Sequence, residues 1–344
     1  MDSVTQMALG AAVGVAVMGK RQPVWRSALL GAVAGTLPDL DALIDFGDGI
    51  SNMVRHRGET HSFFWQTLAA PLIAFLFAGV TRSLNQFFRW WVMVWLVLCT
   101  HAGLDAMTVY GTQLFLPRDD TPVGLGSIFI VDPLYTLPLI MGVIIAIWSG
   151  RKSRFRWNLF GLILSTAYLG WTAYAQHQVT QVVAQTSAAS GLPADRILVT
   201  PTPLNSVLWR IVLMHPDRYE EGYYSLLDPF VAPEQQIRFT AFSRDEALDA
   251  ETADVVSANR IRRFSKGFYT VSEVDSSVRI TDLRMGQYPF FVFSFEFARL
   301  EDGRLVAVPS TNVASRENLQ VGRYLDWLFA RARVKTVEPP SLGQ

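Results

Sequence analysis

Hydrophobic positions along the chain follow two regimes that meet near residue 180. Before that point apolar residues run on almost unbroken over approximately 7–19, 27–44, 63–80, 90–110, 127–148 and 157–179; beyond it they come in short stretches between turn residues. A full membrane span needs ~20 apolar residues, with ~17 sufficient, so the last four long runs qualify. The first two are short and rich in Gly and Ala. Gly10/Gly14 and Gly31/Gly35 are small-xxx-small pairs, which let helix backbones approach closely. The expected structure there is a tightly packed helical hairpin, with a re-entrant pair as the alternative.

The second regime reads as strands. Runs at 196–200, 207–214, 221–227, 236–243, 267–274, 278–283, 289–297 and 304–308 are rich in Val, Ile, Phe, Tyr and Thr, with turn residues between them. Helices are expected over 244–259 and over 316–333, the latter with Leu319, Tyr324, Leu325 and Leu328 on one side. The predicted organisation is therefore an all-α polytopic membrane domain of about six helices (1–180), a small polar linker (181–195), and an α+β, mainly antiparallel β, extracytoplasmic domain (196–344).

Basic residues set the orientation. Loops 20–26, 81–89 and 149–157 hold Lys20, Arg21, Arg26, Arg82, Arg89, Arg151, Lys152, Arg154 and Arg156 without an acid, whereas the opposite loops hold only Arg55, Arg57 and Arg118. This positive-inside bias places both termini outside the cytoplasm, and Trp90, Trp91, Trp148 and Trp157 fall at the cytoplasmic boundary where aromatic belts belong. Asp2 is the only charge before the first apolar run, so no secretory signal peptide is expected. The expected location is a bacterial-type inner membrane, multi-pass, in contact with membrane lipids.

Composition narrows the chemistry. Half the residues are hydrophobic, 17% are charged and the net charge is zero, so no basic field argues for nucleic acid. Cys99 is the sole cysteine, which excludes disulfides within the chain and thiolate metal sites; a metal must be held by nitrogen and oxygen. Ionisable residues buried in lipid cost at least ~2.5–3.5 kcal/mol each at mid-bilayer, so those in or beside the apolar runs need partners and by default suggest a site. They are Asp39 and Asp41 after Pro38, His56 and His61 flanking Gly58, and His101 with Asp105. His101 and Asp105 are i,i+4 and share a helix face. At ~1.5 Å per residue, Asp39 lies roughly 18 Å above a cytoplasmic end at residue 27 and His101 roughly 20 Å above one at residue 88, and His56 and His61 lie in or next to the outer loop, so all six residues reach the outer third of the bilayer. Imidazole with carboxylate suits Zn, Mn or Fe. Each pair also has a plainer reading: His61 as an interfacial histidine, Asp39 as a helix cap, Asp41 paired with Arg55 or Arg57, and His101–Asp105 as a structural hydrogen-bonded pair.

Residues 1–150 resemble the family of membrane-bound metal-dependent hydrolases typified by YdjM and YbcI. The resemblance rests on Met1-Asp2-Ser3-Val4-Thr5-Gln6, Leu37-Pro38-Asp39-Leu40-Asp41, His56-Arg57-Gly58 with Thr60-His61-Ser62, and His101 with Leu104-Asp105. Tyr110-Gly111-Thr112-Gln113 and Asp132-Pro133-Leu134-Tyr135 are similar to the long-chain branch of that family, while many relatives carry His where Gln6 stands. The resemblance implies a divalent ion, Zn foremost, that activates water for hydrolysis. Asp39, Asp41, His56, His61, His101 and Asp105 are the candidate ligands. Glu59 is the candidate general base and Arg57 a catalytic clamp. Arg55 and Arg118 are candidates for holding substrate phosphate or carboxylate, and Asp132 is either part of the site or a helix cap. Depth near headgroup level favours a lipid-linked ester or phosphoester. A metal-braced scaffold is the alternative; a transporter fits less well, because the polar residues gather on one side and no internal repeat is seen.

Overall fold

The computed structural model describes residues 1–150, 153–186, 188–231, 237–314 and 320–333. Arg151, Lys152, residue 187 of the expected linker, the first residue of the 236–243 run, and residues 316–319 of the last expected helix, Leu319 included, lie outside the described residues, as does 334–344. Two compact units divide the chain: 1–44, 55–173 and 203–205 form one, and 45–54, 174–202 and 206–344 the other.

The first unit is helical. It contains α1 (Ser3–Met18), α2 (Val24–Thr36), the end of α3 (Gly49–Arg55), α4 (Phe63–Val80), α5 (Phe87–Met107), α6 (Pro133–Trp148) and the first part of α7 (Arg154–Ala184). Where four runs were expected to span, two helical stretches among the described residues, Phe63–Val80 and Leu84–Met107, are long and apolar enough to cross a membrane; Ser3–Met18 and Pro133–Trp148 are apolar but shorter. The expected hairpin is present as α1 against α2. A Cβ on Gly10 would stand 2.3 Å from the Gly31 carbonyl oxygen, and one on Gly31 would stand 2.1 Å from that of Gly10. No side chain fits between these backbones. Gly161 repeats the device between α7 and α6, where its Cβ would meet the Pro138 carbonyl at 2.3 Å.

Trp90, Met93, Val94, Val97 and Leu98 of α5 share one buried core with Leu9, Val13 and Met18 of α1 and Leu139 and Val143 of α6, with α1 packed against both other helices. α4 turns Leu68, Leu72, Phe75, Leu76 and Val80 outward instead, all more than half exposed. Contiguous apolar surface of this kind calls for a partner, and lipid is the natural one for a helix of span length.

The second unit is sheet-rich. One antiparallel sheet has the order β1 (Ile197–Pro201), β2 (Leu208–Met214), β3 (Arg218–Ser225), β4 (Phe239–Ser243). The other runs from β10 (Arg304–Asn312) through β9 (Ser294–Glu301) and β6 (Ser277–Asp282) to β5 (Tyr269–Val274), and β7 (Gly286–Gln287) pairs with β8 (Phe290–Phe291). Helices α8 (Asp228–Val231), α9 (Glu246–Glu251), α10 (Val256–Phe264) and α11 (Val321–Ala332) complete it.

Among the boundaries that differ from expectation, three change the organisation. The linker begins later than 181, because Ala175, Val179 and Val183 recur at i,i+4 and bury against Trp209, Ile211 and Leu213, which keeps α7 helical to Ala184. Residues 45–54 belong with the C-terminal unit: Ile50 is fully buried, its N–H donates to Ser310 Oγ at 3.0 Å, and Arg260 Nη1 donates to Ser51 Oγ at 2.7 Å. The single helix expected over 244–259 is two, the first started by Asp245 accepting from the Leu248 N–H at 2.9 Å and ended at Thr252. Beneath the first sheet, buried Arg210 donates to Glu221 Oε2 and to the Leu283 carbonyl, both at 2.8 Å.

Candidate metal centre

Three interruptions of regular helix deliver the site. Pro38 lacks an N–H and its ring cannot continue α2, but its fixed φ suits the first position of a new turn. The chain accordingly ends α2 and re-forms as a 3₁₀ turn, Pro38–Leu43, that carries Asp39 and Asp41. A second 3₁₀ turn, Glu59–His61, precedes α4 and holds His61. It is approached through Arg57, whose φ of 65° is left-handed, and through Gly58, whose Cβ would lie 2.9 Å from the Arg55 carbonyl oxygen. His101 and Asp105 come from the last two turns of α5, which stops at Met107.

These segments bring four ligand atoms to one point. His61 Nε2 and His101 Nε2 are 3.1 Å apart. Asp39 Oδ1 lies 3.5 Å from the first and 3.4 Å from the second. Asp105 Oδ2 lies 3.2 and 3.6 Å from the same two atoms. A tetrahedron with metal–ligand bonds of about 2.0–2.2 Å has edges of roughly 3.3–3.6 Å. The five distances scatter around that edge.

Hydrogen bonding at the back of each imidazole shows what the front offers. His101 Nδ1 is 2.8 Å from the Gly35 carbonyl, which can only accept, so Nδ1 carries a proton and, in the neutral imidazole that a metal requires, Nε2 keeps its lone pair. Thr60 Oγ1 donates to Asp41 Oδ2 at 2.6 Å and so accepts from His61 Nδ1 at 2.9 Å, which leaves Nε2 of the neutral His61 imidazole as the lone pair. Asp105 Oδ2 is buried and accepts no hydrogen bond. In the neutral tautomers these bonds select, lone pairs face one another across ~3 Å, which is repulsive unless a cation, a proton or a metal ion, sits among them. The residues fit a divalent ion, and the donor set of two imidazoles and two carboxylates suits Zn, Mn or Fe.

Asp41 and His56 stand apart from this cluster. Asp41 accepts from His56 Nδ1 at 2.8 Å, from the Arg57 N–H at 3.0 Å and from Thr60, so it braces the turn that presents His61. His56 packs edge-on against Tyr110 at 5.7 Å between ring centroids. Arg57 is buried, with Nε 3.2 Å from Asp105 Oδ2, Nη1 donating to Thr108 Oγ1 at 3.2 Å, and the guanidinium 4.8 Å over the Tyr110 ring. Gln6, unpromising as a ligand, donates to Asp105 Oδ1 at 3.0 Å and to the His101 carbonyl at 3.3 Å, which aims the other carboxylate oxygen at the cluster. The Met1 amino group is also bonded to Asp105 Oδ1.

The remaining candidates lie elsewhere. Glu59 is half exposed and its carboxylate meets Arg55 Nη2 at 3.3 Å, so both belong to a surface pair rather than to a base and a clamp at the cluster. Arg118 is exposed. Asp132 caps α6, accepting from the Leu134 N–H at 3.0 Å and from Tyr168 Oη at 2.8 Å; its carboxylate is committed to structure, not substrate. Thr108 and the Gly35 carbonyl escaped sequence reasoning, and Thr60 entered it only within the Thr60-His61-Ser62 motif. Only Thr60 left a signal, by sitting beside His61.

With this geometry in view, comparison with known families is decisive. The family described as YdjM inner membrane protein matches residues 1–179, slightly more than half the chain. The chain belongs to the YdjM family. Every residue of the four-atom cluster, and each of its supports, falls inside the matched region. YdjM proteins are inner membrane proteins by that description, in keeping with the two span-length helices. No curated protein and no solved structure matches the chain.

Proposed function

We propose that this YdjM protein is a membrane-bound, metal-dependent hydrolase acting on a lipid-linked ester or phosphoester. The observation that carries the reading is the convergence of four lone-pair atoms at ion-binding distances around a buried, unsatisfied Asp105 oxygen. Asp39, His61, His101 and Asp105 would hold the ion, with Zn foremost and Mn or Fe as alternatives. A bound ion of this class supplies Lewis acidity and a hydrolytic nucleophile from water at neutral pH. Arg57 is the cation positioned to meet an anionic substrate group, since its guanidinium is already beside the cluster.

The lipid preference rests on what surrounds Asp39. It is the most exposed of the four ligands, at 19% of its side chain, against 0 or 1% for the others. Its neighbours Leu40, Leu43 and Ile44 are 52, 83 and 52% exposed. An amphiphile approaching the ion would cover this apolar fringe. We place the cluster on the outer side of a multi-pass domain of six helices, with the C-terminal unit extracytoplasmic, in accord with the charge bias between loops.

The arrangement also supports a second reading. Four protein donors can complete a tetrahedron, and closed coordination braces a structure rather than reacting. One experiment separates the two. The detergent-purified protein and His101→Ala are analysed for bound metal and assayed on phosphoesters and esters, both lipid-linked and water-soluble. Metal in the wild type, lost in the variant together with turnover of lipid-linked substrates, supports the hydrolase. Full metal content without turnover moves the assignment to the brace. Metal content unchanged in His101→Ala refutes the site.

A further inference from the structure

A second feature lies at the other end of the helical unit. Between the end of α1, the start of α2 and the start of α7 is a cavity of about 380 Å³, floored by Val15, Val24 and Phe155 and rimmed by Lys20, Arg154 and Arg156. No acid lines it, and among the described residues none of the three cations has a salt-bridge partner. Lys20 Nζ sits 4.5 Å over the Phe155 ring, which holds one charge at the mouth. Gln6 at the metal cluster and Lys20 are fourteen positions apart along α1 and its cap, roughly 20 Å at ~1.5 Å per residue. The cavity is therefore a separate site.

From this geometry we infer that the cavity binds the phosphate-bearing headgroup of an anionic membrane lipid. Three unpaired cations converging on one concavity repel one another, and an anion relieves that repulsion. The apolar floor matches the glycerol and first methylenes rather than a fully hydrated ion. Trp25, Trp148 and Trp157, 53, 85 and 45% exposed, stand at the same end of the helices, as aromatic residues do at a membrane interface. A basic concavity among helix ends on the side richest in Lys and Arg is where anionic headgroups are held. The inference does not depend on the hydrolase reading.

Native mass spectrometry of the full chain released from detergent tests it, with phosphatidylglycerol, phosphatidylcholine and inorganic phosphate added separately. Phosphatidylglycerol should bind at least about tenfold more tightly than phosphatidylcholine. Neutralising one cation should weaken it about fivefold and Lys20→Ala/Arg154→Ala/Arg156→Ala together roughly a hundredfold, whereas Lys20→Arg/Arg154→Lys/Arg156→Lys keeps the preference. Equal binding of the two lipids by the wild type overturns the inference, and that comparison stands even if the triple variant fails to assemble. So does a triple alanine variant that folds and keeps the preference. Inorganic phosphate bound as tightly as the lipid would assign the cavity to a soluble anion and overturn the lipid source.

Discussion

Asp41 offers the sharpest test of the metal centre, because it touches no shared point with the four ligand atoms yet sets the state of one of them. In the wild type its Oδ2 takes the Thr60 hydroxyl proton at 2.6 Å, which obliges Thr60 to accept from His61 Nδ1. In Asp41→Ala that acceptor is gone. Thr60 is then free to donate to His61 Nδ1, which moves the imidazole proton to Nε2, the atom 3.1 Å from His101 Nε2. A protonated Nε2 cannot ligate. Loss of such an outer hydrogen-bond partner typically costs 10–100-fold in metal affinity, about 1.4–2.7 kcal/mol. Asp41→Asn keeps an acceptor oxygen for Thr60 and should fall at the low end of that range. The assay is competition for Zn²⁺ or Co²⁺ against a chelator of known affinity, with His61→Ala measured alongside. An Asp41→Ala protein that binds as tightly as wild type refutes the tautomer argument. One that loses as much as His61→Ala makes Asp41 a ligand and refutes the assignment of ligands.

Four further outcomes follow from the same coordinates. Gln6→Ala removes one of the two donors to Asp105 Oδ1, leaving the Met1 amino group, and should weaken metal binding up to about tenfold, read by the same competition, with the fold intact by circular dichroism. Gly31→Leu forces α1 and α2 apart and should destabilise the protein by at least ~1–3 kcal/mol in detergent thermal unfolding; Gly103→Ala, with nothing within 4 Å of its Cβ, should leave it unchanged. Arg210→Ala strands buried Glu221 and should cost about 3–5 kcal/mol by the same measurement, while metal content stays at the wild-type level. Asp132→Ala removes a helix cap and should cost ~1 kcal/mol with metal affinity unchanged; loss of metal would return Asp132 to the site.

The parts of this protein that were legible beforehand are those governed by spacing within one element. Gly10, Gly14, Gly31 and Gly35 announced a close hairpin, and His101 with Asp105 announced a shared face, because a helix fixes both relations locally. Asp39 and Asp41 were not separable, since their roles depend on the 3₁₀ turn that follows Pro38. At about 3 residues per turn, positions two apart point in different directions, which sends one carboxylate to the cluster and the other to His56 and Thr60. His56 and His61 were ambiguous for a similar reason: a left-handed Arg57 and the turn at Gly58 lie between them, and no periodicity spans such a break. Residues 45–54 were assigned to the wrong unit because Ser310, the partner of Ile50, is 260 positions away. The comparison with YdjM proteins identifies the matched region without resolving any of these local ambiguities, which only geometry separates.

Whether the centre reacts or braces turns on how alike its four donors are. A structural site gains from enclosing every ligand equally, since each bond then resists water to the same degree. Here the enclosure is uneven: His61 and Asp105 have fully buried side chains, His101 is 1% exposed, and Asp39 is 19% exposed on a short turn whose Leu43 is almost entirely uncovered. The rigid donors are fixed from behind, His101 by the Gly35 carbonyl, His61 through Thr60 to Asp41, and Asp105 by Gln6. No hydrogen-bond partner beyond the cluster fixes Asp39 in this way among the described residues. Catalytic tetrahedral sites have three protein ligands and an open position for water or substrate; an Asp39 that yields would open that position here. That asymmetry is the physical ground on which we propose hydrolysis over bracing, and it would place entry on the side of the cluster where Leu40, Leu43 and Ile44 face outward.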